Sequence, residues 1–247
     1  KNDLNEFIIK EIDKDKLYSF LREMEFNRLL SQAIGFYGEP GEKITSIDNY
    51  LTKKSKINTK KYKNILKEKD LDKLINDLNK ESIISIDTET SSLNPQEAEL
   101  IGISVCYAPN ISFYVPVGHK KVDSLERNIV LNKFKPILED LSIKKVGQNI
   151  KYDYLIFKKY GIELNSLEDT MLLSYTLDAG NNRHNMDILS QLHLGHKTIS
   201  YKDVVGSGKK QLKFSDVELN QATEYAAEDA DVTFRLYEIL SKRINNE

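Results

Sequence analysis

Apolar and polar positions along the chain change period several times, and each change marks an element. In 15–33, DKLYSFLREMEFNRLLSQA, apolar side chains at Leu17, Phe20, Leu21, Met24, Leu29 and Leu30 follow helical spacing. GFYGEPGEKI then breaks the pattern with three glycines and a proline. Lysine dominates from Thr52 to Lys69, which reads as a solvated linker leading into a surface helix, with a DNA-facing basic patch as the other reading. A boundary is therefore expected between about 35 and 60. Beyond it the spacing predicts a helix over 70–80 and a strand over 82–88. Two β-rich runs, 99–107 and 111–117, are separated by Ala-Pro-Asn as in a hairpin. A helix over 128–139, a short strand at 143–147 and a helix from about Asn149 to Gly161 follow, and the remainder looks helical. A three-strand meander followed by alternating strands and helices implies an α/β fold, a mixed sheet flanked by helices.

The first strand, SIISIDTETSSL (82–93), raises a chemical question. Ile84 and Ile86 share one face, whereas Ser85, Asp87 and Glu89 share the other. Two carboxylates on one face repel unless a cation lies between them; a hard divalent ion suits them, but so does plain solvation in a turn. Further acids must converge before the metal reading prevails.

Two helices supply candidates. In VGQNIKYDYLIFKKYG (146–161), Ile150, Tyr154 and Phe157 form an apolar stripe with Asp153 at its edge. Asn149 is placed either to cap this helix or to turn its amide toward a ligand. In ATEYAAEDADVTFRLYEIL (222–240), Tyr225, Asp229, Val232, Leu236 and Ile239 recur on one face. That face is apolar apart from Asp229, and a carboxylate buried there is costly unless paired or metal-bound. Glu228 and Asp231 point elsewhere, and Tyr225 lies one turn before Asp229.

Composition narrows the classes. Of 247 residues 40% are hydrophobic and 30% charged, in the soluble globular range. No apolar run reaches membrane-spanning length, and the polar N-terminus carries no signal-peptide pattern. One cysteine, Cys106, excludes an internal disulfide and multi-cysteine zinc sites, and suits a reducing cytoplasm; it reads as a core residue. A net charge of −2 requires any nucleic-acid contact to be local. GSGKK at 206–210 fails as a phosphate loop, which needs Gly at Asp203 and Ser or Thr at Lys210. His193 and His196 have no cysteine or further histidine to complete a zinc site and read as surface residues. The initial Lys suggests a piece of a longer chain.

DTET, GQNIKYD and YAAEDAD resemble the three exonuclease motifs of the DEDD superfamily in its tyrosine-bearing branch. VGQNIKYD, GIEL, DTML, RHNMD, HKTIS, GSGKKQLKF and YAAEDADVT resemble, in order and spacing, the 3′–5′ proofreading exonuclease domain of bacterial DNA polymerase I. The resemblance implies an RNase H-like fold over 46–247. Residues 1–45 would then be the helical tail of a preceding 5′-nuclease domain plus a linker, and the chain would stop where the polymerase domain begins. It implies two divalent cations, Mg²⁺ or Mn²⁺. Asp87 would bridge both, Glu89 and Asp229 complete one site, Asp153 hold the second ion, and Tyr225 orient the attacking water. By the same resemblance Leu93 would wedge against the terminal bases and Tyr201, where the family more often has Phe, would stack on them. Gln148, Asn149 and Arg183 would contact the terminal nucleotide or its phosphates. The partners implied are a single-stranded DNA 3′ end and the polymerase and 5′-nuclease domains of a parent chain, in a cytoplasmic, nucleoid-associated bacterial monomer. The competing readings are a silent spacer or DNA-binding module and a ribonuclease D-like RNA-trimming enzyme.

Overall fold

The computed structural model describes residues 12–37, 56–208 and 211–246. The chain divides into two units, Lys1–Thr52 and Lys53–Glu247. The expected boundary at 45, the first four residues of the lysine-rich stretch and Lys209–Lys210 of the glycine loop lie outside the described residues.

In the first unit the helical spacing over 15–33 belongs to two helices, α1 (Lys14–Glu23) and α2 (Asn27–Tyr37). Glu25 takes a positive φ of 56°, which no α-helix continues through. The Asp13 carboxylate caps α1, accepting from the Lys16 N–H at 3.1 Å. Tyr18, Leu21 and Ala33 are buried with Leu17, Leu30 and Ile34 packed on them, whereas Phe20, Met24 and Leu29 remain about half exposed. Breaking the helix turns the stripe into a small two-helix core.

The second unit is built on a six-stranded mixed sheet. Its strands are β1 (Lys63–Asn64), β2 (Ile83–Thr90), β3 (Leu100–Ala108), β4 (Ile111–Pro116), β5 (Lys144–Gly147) and β6 (Leu167–Asp169), in the spatial order β1-β4-β3-β2-β5-β6. β2, β3 and β4 form the antiparallel meander, with Asn110 at φ 64° in the hairpin turn. β5 runs parallel to β2 and β6 parallel to β5. The two edge strands, β1 and β6, escape the sequence pattern because two or three residues carry no periodicity.

Helices α3 (Glu68–Leu78), α4 (Arg127–Glu139) and α5 (Lys151–Lys159) cover one face of the sheet. Their Leu71, Leu74, Leu78, Phe134, Ile137 and Phe157 pack on Ile84, Ile86, Ile103 and Val105. α6 (Thr170–Asp178), α7 (Met186–Leu194) and α8 (Tyr201–Val205) follow, and α9 (Leu219–Asn246) lies across the opposite face. Ala226, Ala227 and Ala230 are fully buried, and small side chains let α9 approach the strands closely. The Ser85 hydroxyl donates to the Ala230 carbonyl at 2.6 Å, joining β2 to α9 directly. Cys106 is fully buried behind them.

Asn149 does not cap α5. It sits at φ 61°, and the cap position is Ile150, whose side chain makes no capping bond. The turn that enters α5 is held from the neighbouring strand, where Asp169 at the end of β6 accepts from the N–H groups of Asn149 at 3.0 Å and Ile150 at 3.1 Å. The same carboxylate caps α6 through the Met171 N–H. Gly161, at φ 74°, closes α5 where expected.

Candidate active site

β2 is the central strand that brings acids to the site. Its alternation sends Ile84 and Ile86 into the α3–α5 core and Asp87 and Glu89 toward α9. Glu89 pairs with Gly102 of β3. A Cβ on Gly102 would come within 2.2 Å of the Tyr114 hydroxyl, so only glycine lets that ring lie across the strand beside the acids. α9 delivers Asp229 from the other side. Oxygens of Asp87, Glu89 and Asp229 all lie within 4.8 Å of one another. Asp153 comes from α5 and stands outside that group of three. It is 3% exposed, and its Oδ1 accepts from the Thr88 hydroxyl at 2.5 Å.

Burial raises all four carboxyls above their ordinary range. Charge from Asp153, Glu89 and Asp229 adds to the effect at Asp87, and charge from Asp229 and Asp153 at Glu89. Burial and the adjacent Glu228 raise Asp229. Asp153 is pushed up to about 7, mainly by burial. Among the described residues no ion pair reaches any of the four. Clustered buried carboxylates without a cation are an incomplete electrostatic set, and the hard oxygen donors suit Mg²⁺ or Mn²⁺. The donor set therefore fits a divalent ion.

A stability consequence follows with a definite sign. The folded, metal-free site holds protons that the unfolded chain has released, between the ordinary carboxyl pKa of about 4 and about 7. Stability in EDTA is thus expected to fall as pH rises through that window, and Mg²⁺ to raise the melting temperature more near pH 7.5 than near pH 5. Differential scanning fluorimetry checks this; a melting temperature in EDTA that climbs across the window would contradict it.

Tyr225, one turn before Asp229, hydrogen-bonds that carboxylate, and burial together with the charge of Asp229 pushes its phenol far above the ordinary range. It stays protonated as a donor. Around it lies an aromatic cluster: Tyr201, 43% exposed at the start of α8, stacks on Phe214 (6.3 Å, 11°) and meets Tyr225 edge-on at 6.1 Å. Leu93, in the loop after β2, is 95% exposed. Arg183 is exposed in the α6–α7 connection. Gln148 is held by its own bonds, donating to the His184 carbonyl and accepting from the Thr170 hydroxyl.

Several supporting residues escape sequence reasoning. Glu228 is 1% exposed and binds His196 Nε2 at 2.9 Å and the Ile199 N–H at 2.6 Å, fastening the segment that leads to Tyr201. His196 is therefore a tie to α9 rather than a surface residue, and His193 is likewise partly buried, its Nε2 enclosed. Asp169 pins the loop before Asp153. The Thr between the acids of DTET was the available signal for Thr88; nothing local marks Asp169.

A family model described as 3′–5′ exonuclease matches residues 62–245. This chain belongs to that family. Within it, DNA polymerase I of Rhizobium leguminosarum is 45% identical over 194 residues, covering 70% of this chain and 19% of the relative. DNA polymerase I of Pseudomonas aeruginosa is 36% identical over 243 residues, covering 95% of this chain and 26% of the relative. The chain thus spans about a fifth to a quarter of the length of these curated relatives. Among solved structures, the Trypanosoma brucei RNase D complex with RNA U12 superposes with a TM-score of 0.60 at 17% identity, over 72% of this chain and 62% of that one. At that identity the likeness shows the exonuclease fold alone. The mixed sheet flanked by helices is RNase H-like, as the sequence motifs implied. Among the described residues no helix is long and apolar enough to cross a membrane.

Proposed function

We propose that the chain is the proofreading segment of a bacterial DNA polymerase I, hydrolysing the 3′-terminal phosphodiester of single-stranded or frayed DNA and releasing nucleoside 5′-monophosphates. The observation that carries this reading is the unneutralised carboxylate group of Asp87, Glu89 and Asp229, with Asp153 beside it. Asp87, Glu89 and Asp229 would hold one divalent ion, and Asp87 with Asp153 a second. Such ions, when bound, supply positive charge to the scissile phosphate and acidify bound water. The four carboxylates leave little net charge on two ions, so an anionic phosphate remains welcome.

The protein's own groups orient the reaction. The protonated Tyr225 phenol is placed to hold the attacking water while Asp229 fixes the phenol. Tyr225→Phe is expected to slow cleavage about ten- to a hundred-fold with DNA binding nearly unchanged; single-turnover rates beside anisotropy titrations measure both, and lost binding at normal turnover would contradict the role. Leu93, 95% exposed, suits a wedge between terminal bases, while the Tyr201 ring, backed by Phe214, offers a face for a splayed base. Arg183 and the Gln148–Asn149 loop would meet the terminal nucleotide.

Identity with polymerase I supports a DNA end over an RNA end, and alignment of the Pseudomonas relative over 243 residues supports reading 1–45 as the tail of a preceding 5′-nuclease domain. A monomeric, cytoplasmic, nucleoid-associated setting belongs to the same reading. The test is digestion of 5′-labelled DNA and RNA oligonucleotides side by side, with Mg²⁺ and with EDTA. Shortening of DNA from the 3′ end in Mg²⁺ alone is expected. Preference for RNA would favour the ribonuclease D-like reading, and no cleavage in Mg²⁺ or Mn²⁺ the silent module.

A further inference from the structure

The second unit carries a cavity of about 740 Å³ that the site above does not use. It opens beside the edge strand β1, between the β3–β4 hairpin and α3. Lys60, Lys61, Lys63 and Lys73 line it, all exposed. None of the four makes an ion pair among the described residues. Asp70 and Asp77 also face it, but Asp77 is already bound by Lys80 at 2.9 Å, so positive charge dominates. Its wall includes Tyr107 and Phe113, stacked at 6.0 Å and 16° and both only partly buried. Free ammonium groups around a flat aromatic pair match a flexible strand that presents phosphates and base faces alternately.

This place is remote from the carboxylates. The row Ser85–Cys106–Ser112 marks the cavity's end of the sheet, and the row Glu89–Gly102–Pro116 marks the acids' end. Four residues separate the rows, about 13 Å along the strands, and β2 and β4 are about 10 Å apart across the sheet. Tyr107 and Phe113 also lie on the α3 face, opposite the α9 face that holds Asp87 and Glu89.

We propose that this cavity is a second, sequence-independent contact for single-stranded nucleic acid, gripping the strand several nucleotides away from the end being trimmed. Charge complementarity selects an anionic occupant, and the aromatic pair favours nucleic acid over an acidic peptide. That choice rests on the nuclease reading, but the contact is measurable without catalysis.

The test compares the whole chain with its Lys60→Ala/Lys61→Ala/Lys63→Ala and triple-Arg variants. These side chains are exposed, so the fold should survive, and circular dichroism verifies it. Binding of a labelled 20-nucleotide oligothymidine is followed by anisotropy in EDTA across a salt series, and cleavage of a trinucleotide, too short to span both places, is timed in Mg²⁺. The Ala variant is expected to bind the 20-mer about ten-fold more weakly at 50 mM salt. Its log–log salt slope should shrink by about 2, since each lost contact to a single strand removes about 0.7. Trinucleotide cleavage should stay within about two-fold, and the Arg variant should bind as wild type. Equal affinity and slope in the Ala variant would overturn the proposal, as would tighter binding of an oligoglutamate peptide at the same lysines. Weakened 20-mer binding in a protein that cleaves nothing would uphold this contact while sinking the exonuclease reading.

Discussion

Asp229→Asn is expected to remove 3′-end trimming almost completely and to leave the fold as stable as before, or more so. The substitution keeps the side chain's shape but deletes one of the three carboxylates whose oxygens lie within 4.8 Å of each other. Replacing a residue that merely supports a metal ligand costs about ten- to a hundred-fold, so losing a ligand should cost more than about a hundred-fold. Stability should move the other way. Asp229 is 9% exposed, and burial and Glu228 raise its pKa, so its charge is a burden on the metal-free fold. A neutral amide relieves that repulsion. Quenched-flow cleavage and thermal melts in EDTA give the two readings. Turnover within ten-fold of wild type would remove Asp229 from the chemistry.

Asp231→Ala, two residues along the same helix, should do the reverse. Asp231 is fully buried, and Arg235 binds it twice, Nε to Oδ1 at 2.8 Å and Nη2 to Oδ2 at 3.1 Å. The Tyr62 hydroxyl donates to Oδ2 at 2.7 Å and the Asn110 N–H to Oδ1 at 3.1 Å. One carboxylate thus joins α9 to the segment before β1 and to the β3–β4 turn. Alanine would remove two charge-assisted bonds from an arginine only 1% exposed. Breaking such a buried pair costs about 3–5 kcal/mol, which for a domain of this size is a fall of roughly 10 °C in melting temperature. Urea unfolding measures it; a loss below about 1 kcal/mol would contradict the assignment. The protein that remains folded should still cleave DNA.

These paired outcomes mark how far EDAD could be read from sequence. Helical periodicity set Asp229 apart from Glu228 and Asp231, and the three acids have different partners. It implied an apolar face with one acid, whereas α9 is buried on nearly every side from Ala226 to Tyr237 and three acids are enclosed. What distinguishes them is their partners: Arg235 and Tyr62 for Asp231, His196 for Glu228, other carboxylates for Asp229. Those partners come from distant segments and leave no local trace. Lys145 teaches the same lesson. In IKKVG it passes for a surface residue, yet it is fully buried with Nζ donating to the carbonyls of Ile137, Asp140 and Ile143.

The strands with clear alternation, β2 to β5, were legible because one or both faces are buried. β1 and β6 were not, being too short to show a period. Asn149 had the residue type of a helix cap but a left-handed backbone, and the carboxylate that holds its turn came from Asp169, twenty positions on. Asp153 was placed at a stripe's edge; its buried carboxylate accepts from Thr88 on β2, a partner far away in sequence.

The measurement that bears most directly on the shared carboxylate site is Mn²⁺ binding, followed by the electron paramagnetic resonance signal of the free ion. The wild-type chain should withdraw Mn²⁺ from solution at pH 7.5, and an Asp87→Asn/Asp229→Asn variant that melts like wild type should leave the ion free. Equal withdrawal by both proteins, or by neither, would contradict a divalent-ion site at Asp87, Glu89 and Asp229.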